Sequence, residues 1–259
     1  VLELIDSHVH LDDDAFTTDR DGVIERAANV GVGTLVIPAV DANSWSRIES
    51  ICAGHRQLHP AFGLHPMFLA NHAADDLVAL PTWLAGHGAV AVGEIGLDFH
   101  VDGLDRQLQR HYFESQLKLA ADHDLPVIVH ARGAIEEVTL TMHRHSRLRG
   151  VVHSFSGSEQ QAEQLWRMGF HIGIGGPVTY ERAQRLRRIV ATMPIEFLLL
   201  ESDAPDQPDA FHRGQRNEPA RIIEVLRCIA GLRGESEQVV ASATTANARR
   251  LFNLDHPTR

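Results

Sequence analysis

"DLPVIVHARGAIEEVTLTMHRHSRLRGVVHSF", residues 124–155, holds two apolar, β-branched runs, "PVIVHA" (126–131) and "VVHSF" (151–155), with a stretch of helical spacing over 133–146 between them. The runs are continuous rather than alternating with polar residues, the pattern of strands buried on both faces of a parallel sheet. Strand, helix and parallel strand make one βαβ unit. Outward from this stretch the same unit recurs. Strands are expected at 2–8, 34–40, 60–65, 89–95, 170–175 and 196–202, and helices at 20–30, 41–54, 74–86, 105–123, 158–168, 179–191, 217–231 and 235–251.

Eight such units, each of about thirty residues, leave an open doubly wound sheet or a closed (β/α)8 barrel. No Gly-x-Gly-x-x-Gly turn follows the first strand, and "GVG" at 31–33 precedes a strand instead of opening a helix, which disfavours the dinucleotide-binding version of the open sheet. The expectation is an α/β fold, a TIM (β/α)8 barrel. No repeat, low-complexity tract or Pro/Ser-rich linker interrupts it, so residues 1–259 are expected to form a single domain.

Composition removes several functions. A hydrophobic content of 44% suffices for a buried core, and no run approaches the roughly eighteen apolar residues of a membrane span. The sequence opens on a strand-like segment without a charged and apolar leader, so a cytoplasmic monomer is expected, with no membrane contact and no obligate protein partner. Cys52 and Cys228 lie far apart in helical segments and offer neither a disulfide framework nor a thiolate metal site. A net charge of −10 argues against a broad grip on duplex nucleic acid, so a polyanion would have to be held locally. Lys118, in a helix, is the one lysine, which leaves no candidate for a Schiff base or a lysine-derived bridging ligand.

In a barrel the chemistry stands at the C-terminal ends of the strands. There the sequence puts His8 and His10 in "LIDSHVHLDDD" (4–14), His65, Glu94 in "VGEIGLD", His130, His153 and Asp203. A lone strand-end histidine is ordinarily a satisfied polar residue, and most of the 17 histidines fall on helices or loops. Histidines at four separate strand ends together with two carboxylates form a metal site. Residues i and i+2 of a strand share a face, so His8 and His10 are expected to grip one ion with Asp203. His130 and His153 are assigned to a second ion, and Glu94 bridges the two, with room left beside it by Gly93 and Gly96. Imidazole and carboxylate without thiolate suit Zn, Mn, Fe(II), Co or Ni, and with more carboxylate and water also Mg; two ions of Mg, Mn or Zn are expected. Asp6 and Asp12 to Asp14 are read as capping or supporting residues, and Asp98 as a partner for a ligating histidine.

"DSHVHLD" (6–12), "GLHP" (63–66), "VGEIGLDF" (92–99), "QLKLAADHDLPVIVHAR" (116–132), "HSFSGS" (153–158), "LLLESDAPDQP" (198–208) and "NARRLFN" (247–253) together resemble the TatD family of metal-dependent hydrolases over about residues 5–253. Through "PDQP" and "GQRNEP" (214–219) the chain looks most like the bacterial YjjV-type branch. The resemblance implies an amidohydrolase-like TIM barrel with two divalent ions on His8, His10, Glu94, His130, His153 and Asp203, and a 3′ to 5′ deoxyribonuclease activity. The chain departs from the commoner pattern at Ser202, at Asp206, where an aromatic residue is usual, and in the pair Phe99-His100.

The function expected from residues and resemblance together is hydrolysis of a phosphodiester in single-stranded DNA or a short oligonucleotide by a water activated between two ions. Asp203 is the general base, Glu94 the bridge, and His65 the donor to phosphate or leaving oxygen. Arg132 is placed either for a bidentate phosphate contact or for a surface ion pair with Glu136 at i+4, with Arg213, Arg216 and Asn217 as further substrate contacts. Two other readings compete: an amidohydrolase or lactonase using the same ions on a small carbonyl substrate, and a metal-binding scaffold. A scaffold has no need of an open two-ion site.

Overall fold

Each continuous apolar run becomes a strand: β1 (Leu4–Asp6), β2 (Val32–Pro38), β3 (Leu58–Phe62), β4 (Ala91–Asp98), β5 (Val127–Arg132), β6 (Gly150–Val152), β7 (His171–Ile174) and β8 (Leu198–Leu200). They pair in parallel, in chain order from β1 to β8. The last strand returns to the first through the Ser7 N–H and hydroxyl, each 3.0 Å from the Leu200 carbonyl. Above that, the Asp203 N–H donates to the His8 carbonyl (2.9 Å) and the His10 N–H to the Ala204 carbonyl (2.8 Å). The sheet thus closes into the expected TIM barrel. The fold is a computed structural model that describes residues 2–145 and 147–254.

The helices are α1 (Arg20–Asn29), α2 (Ala42–Gly54), α3 (Ala74–Gly86), α4 (Arg106–Asp122), α5 (Ile135–His143), α6 (Glu159–Arg167), α7 (Gln184–Thr192), α8 (Ile222–Arg233) and α9 (Glu237–Phe252). Two start later than their apolar spacing suggests, because a 3-10 turn carrying a proline precedes each: Gly176–Thr179 ahead of α7 and Pro219–Arg221 ahead of α8. Proline fixes φ and lacks the donor that a continuing helix needs. None of the described helices is long and apolar enough to cross a membrane.

Two-residue periodicity sorts the strand side chains. Ile5, Val36, Ala61, Ile128, Val151 and Leu199 pack together inside the barrel, and Ala248, Leu251 and Phe252 of α9 close its floor. Their neighbours Leu4, Leu35, Phe62, Val127, Val152 and Leu198 belong to the outer layer beneath the helices. Counting by twos from the inner layer toward the C-terminal mouth arrives at His65, at His130, at His153, and at Glu201 and then Asp203.

Two strands break this count, and both supply the site. From Ala91 inside, alternation would bring Gly93 and Ile95 inward, yet Ile95 and Leu97 sit in the outer layer and Glu94 faces the centre. The β4–β5 register shifts between Val92 and Ile95. From Ile5, alternation would bring Ser7 and Val9 inward. Val9 and Leu11 instead lie in the outer layer, and His8 and His10 turn to the centre after β1 has ended at Asp6.

Candidate metal centre

Glu94 stands at the middle of the mouth, 2% exposed, with its two oxygens facing different partners. Oε2 lies 3.2 Å from His8 Nε2 and 3.6 Å from His10 Nε2. Oε1 lies 3.1 Å from His130 Nδ1 and 2.6 Å from His153 Nε2. Asp203 joins the first pair, its Oδ1 3.5 Å from His8 Nε2 and 3.7 Å from His10 Nε2. Burial pushes the Glu94 carboxyl up, but the imidazoles of His153, His65 and His8 outweigh it and hold the group well below the usual carboxylate range. The centre is an anion lined with nitrogens.

Both ring nitrogens of His130 face carboxylates, Nε2 at 2.9 Å from Asp98 Oδ2 and Nδ1 at 3.1 Å from Glu94 Oε1. Burial lowers its pKa, but the hydrogen bonds to Asp98 and Glu94 outweigh it and raise the group. As a metal ligand the ring would keep its proton on Nε2, toward Asp98, and present the Nδ1 lone pair to a cation beside Glu94. Asp98 is held by the His100 and Val101 N–H groups (2.9 and 3.1 Å). Burial raises its carboxyl, the His130 hydrogen bond lowers it, and the balance falls at about 2. A carboxylate fixing the far nitrogen of a ligating histidine is the usual support of a metal site.

His65 has the opposite polarity. Its Nδ1 accepts the Met67 N–H (3.1 Å), so its Nε2 carries the proton and donates to Glu94 Oε1 (3.0 Å). Burial holds its pKa down to about 4, and near neutrality the ring is uncharged. His65, Glu94 and His130 also come within ligand distance of one another, but a protonated Nε2 offers no lone pair. It is a neutral donor at the edge of the centre.

Below the centre lie two further buried carboxylates: Glu201, which the sequence reading did not assign, and Asp6, which it took as a capping or supporting residue. Glu201 fills space left by Gly173, where a Cβ would meet its Oε2 at 2.1 Å, and burial raises it to about 8. Its Oε1 accepts the Ser154 N–H (2.5 Å) and lies 3.9 Å from His153 Nδ1. Asp6 Oδ1 accepts from the N–H groups of His8 (3.2 Å) and Ser202 (2.9 Å) and so ties the two ends of the barrel seam together. Asp13 caps the turn at Asp14–Phe16. The room expected beside Glu94 at Gly93 and Gly96 is taken up by close strand approach. A Cβ at Gly93 would meet Ile128 Cβ at 2.7 Å, and one at Gly96, whose φ is 141°, would meet the His130 carbonyl at 2.0 Å.

The centre opens into a cleft of about 1400 Å³ whose walls differ in sign. Asp12, Asp13, Asp14 and Asp41 line the wall formed by the loops after β1 and β2. Arg132, Arg182 and Arg185 line the wall after β5 and β7, and none has an acidic partner among the described residues. Arg132 therefore forms no ion pair with Glu136. The three other expected substrate contacts lie elsewhere. Asn217 is 2% exposed and its amide is committed to the carbonyls of Ser202 (2.8 Å) and Asp206 (2.9 Å), which makes it a strut for the loop after β8. Arg213 is exposed on that loop outside the cleft lining, and Arg216 forms a two-pronged ion pair with Asp19 (2.8 and 2.7 Å).

Comparison with known proteins places this geometry. A family model described as TatD related DNase matches residues 5–253. The chain is 40% identical over 257 residues to the uncharacterized metal-dependent hydrolase YjjV of Escherichia coli K12, covering 98% of this chain and 99% of that one. It is 34% identical over 260 residues to the 3′-5′ ssDNA/RNA exonuclease TatD of Citrobacter rodentium, covering 97% and 98%. The crystal structure of E. coli YjjV superposes with a TM-score of 0.93 at 39% identity, over 96% of this chain and 98% of that one.

Proposed function

The chain belongs to the TatD family and is a metal-dependent hydrolase, and from that premise we propose that its reaction is 3′ to 5′ hydrolysis of phosphodiesters in single-stranded DNA or short oligonucleotides. The observation that carries the reading is the division of Glu94: one oxygen faces His8 and His10, the other His130 and His153. In this reading His8, His10 and Asp203 would hold one divalent ion and His130 and His153 the other, with Glu94 shared between them. Mg, Mn or Zn so held would supply polarisation of the phosphate and a water acidic enough to deprotonate near neutral pH.

The protein's own residues do the rest. Asp203, beside His8 and His10, would take the proton of the attacking water as general base. His65, uncharged and protonated on Nε2, donates a hydrogen bond to a phosphate oxygen and does not act as a cationic acid. Arg132 meets the phosphate from the wall after β5. The substrate class is supported by the exonuclease name of the C. rodentium relative and by the arginines on one wall of the cleft, in a chain with a single lysine.

The test is digestion of a 5′-labelled single-stranded DNA by metal-stripped protein resupplied with Mg, Mn or Zn in turn, beside Asp203→Asn. The expected result is a metal-dependent ladder shortening from the 3′ end and absent in the variant. Folded protein with two ions bound and no cleavage under any metal would overturn the nuclease reading and turn the search to small carbonyl substrates.

A further inference from the structure

Six non-glycine residues among those described have a left-handed backbone, and three of them, Ser154 (φ 45°), Asp203 (φ 54°) and Gln207 (φ 50°), meet in one hydrogen-bonded cluster at the mouth of the barrel. Such conformations are unfavourable for residues with a Cβ and persist where surrounding contacts impose them. The Gln207 amide nitrogen donates to Asp203 Oδ2 and lies 2.6 Å from the Ser154 hydroxyl oxygen. The Ser154 hydroxyl donates back to Gln207 Oε1 at 2.8 Å. A carboxylate only accepts, so the amide can face Asp203 only through its nitrogen.

The backbone carrying Gln207 is held from beneath. Asn217 donates through Nδ2 to the Ser202 and Asp206 carbonyls and through its N–H to the Pro205 carbonyl at 2.9 Å. Ser154 is fixed by its own N–H to Glu201. With Oδ2 occupied, Oδ1 is the oxygen that Asp203 presents to His8 and His10. The two stretches "PDQP" and "GQRNEP" thus form a single unit, one supplying the clamp and the other its strut.

We propose that Gln207 is the positioning residue for Asp203: it fixes which carboxylate oxygen faces His8 and His10, and so sets the ion affinity of that half of the centre without touching the other half. This rests on the reading of Asp203 as a metal ligand given above. Supports of this kind change metal affinity by about 10- to 100-fold.

The experiment is a calorimetric Mn²⁺ titration of metal-stripped wild type, Gln207→Met, Gln207→Glu and Ser154→Ala, with thermal midpoints of the metal-free proteins as a check on folding. Gln207→Met is expected to weaken one of two Mn²⁺ sites by about 10- to 100-fold and leave the other unchanged. It is also expected to lower kcat on bis(p-nitrophenyl) phosphate with KM little altered. Gln207→Glu, which sets carboxylate against carboxylate, is expected to lose more. Ser154→Ala, which removes only the anchor of the amide, is expected to lose less, and it carries the test if Gln207→Met does not fold. Wild-type affinity at both sites in a folded Gln207→Met overturns the inference alone. A wild type that binds no Mn²⁺ overturns the site reading and the inference with it; because the titration needs no substrate, failure of the nuclease reading is seen separately.

Discussion

His171 and His153 show how position along a strand separates a structural histidine from a functional one. His153 follows the end of β6 at the mouth, whereas His171 opens β7 at the opposite end of the barrel, the face that serves stability rather than chemistry. His171 is 7% exposed, and burial, outweighing a backbone contact at Gly150, holds its pKa down to about 4. The unfolded chain takes up a proton on this ring near pH 6.5 and the folded chain does so only near 4, so stability falls as pH drops through that window. The loss is about 2 kcal/mol by pH 5. Urea midpoints at pH 7.5 and pH 5 are expected to converge for His171→Leu relative to wild type; an undiminished acid shift in the variant would rule the residue out as its source. Among the site residues the strand-end rule was enough to read His65, His130, His153 and Asp203 from the sequence. The direction of the proton on His65 was not legible, because it is set by a backbone N–H two residues on, at Met67.

At the level of elements, the eight strands were legible because most are buried on both faces and written chiefly in Val, Ile and Leu, while β3, Leu-His-Pro-Ala-Phe, read through its place in the alternation of strands and helices. The two register slips were not. A one-residue slip exchanges inner and outer faces, and nothing in "AVAVGEIGLD" (89–98) marks where alternation breaks except the glycines that let β4 approach β5 closely. The loop after β8 misled for a related reason: Asn217 reads as a polar residue free for substrate, and only the folded loop reveals three backbone groups waiting for it. The late "NARRLFN" is likewise structural. Asn247 of α9 is 3% exposed and donates to the Ile195 (2.7 Å) and Leu198 (3.0 Å) carbonyls, pinning the helix to the base of β8. Asn247→Ala strands both acceptors and is expected to lower stability by about 2 kcal/mol, read as a lower urea midpoint with kcat on any substrate unchanged. A fall in kcat without a fall in stability would place Asn247 in the chemistry instead.

For the molecule as a whole, a net charge of −10 coexists with a cleft that is basic on one wall. Arg182 lies 5.4 Å from the centroid of the Tyr180 ring and Arg185 donates to the Ser156 carbonyl at 2.9 Å, contacts that orient both side chains without neutralising them. Three such cations, Arg132 included, give a slope of log(1/KM) for single-stranded DNA against log[salt] of about −2. A slope near zero would mean that these arginines miss the phosphates, and one steeper than about −5 would mean that binding spreads well beyond the cleft. The seam between β8 and β1 has a further consequence. His8 and His10 are synthesised well before Asp203 and before α9, whose Thr245 hydroxyl donates to the Glu3 carbonyl at 2.8 Å and holds β1 in place. A nascent chain arrested before Asp203 carries His8, His10, Glu94, His130 and His153 but neither Asp203 nor the closing seam, and released as a truncated product it is expected to be inert.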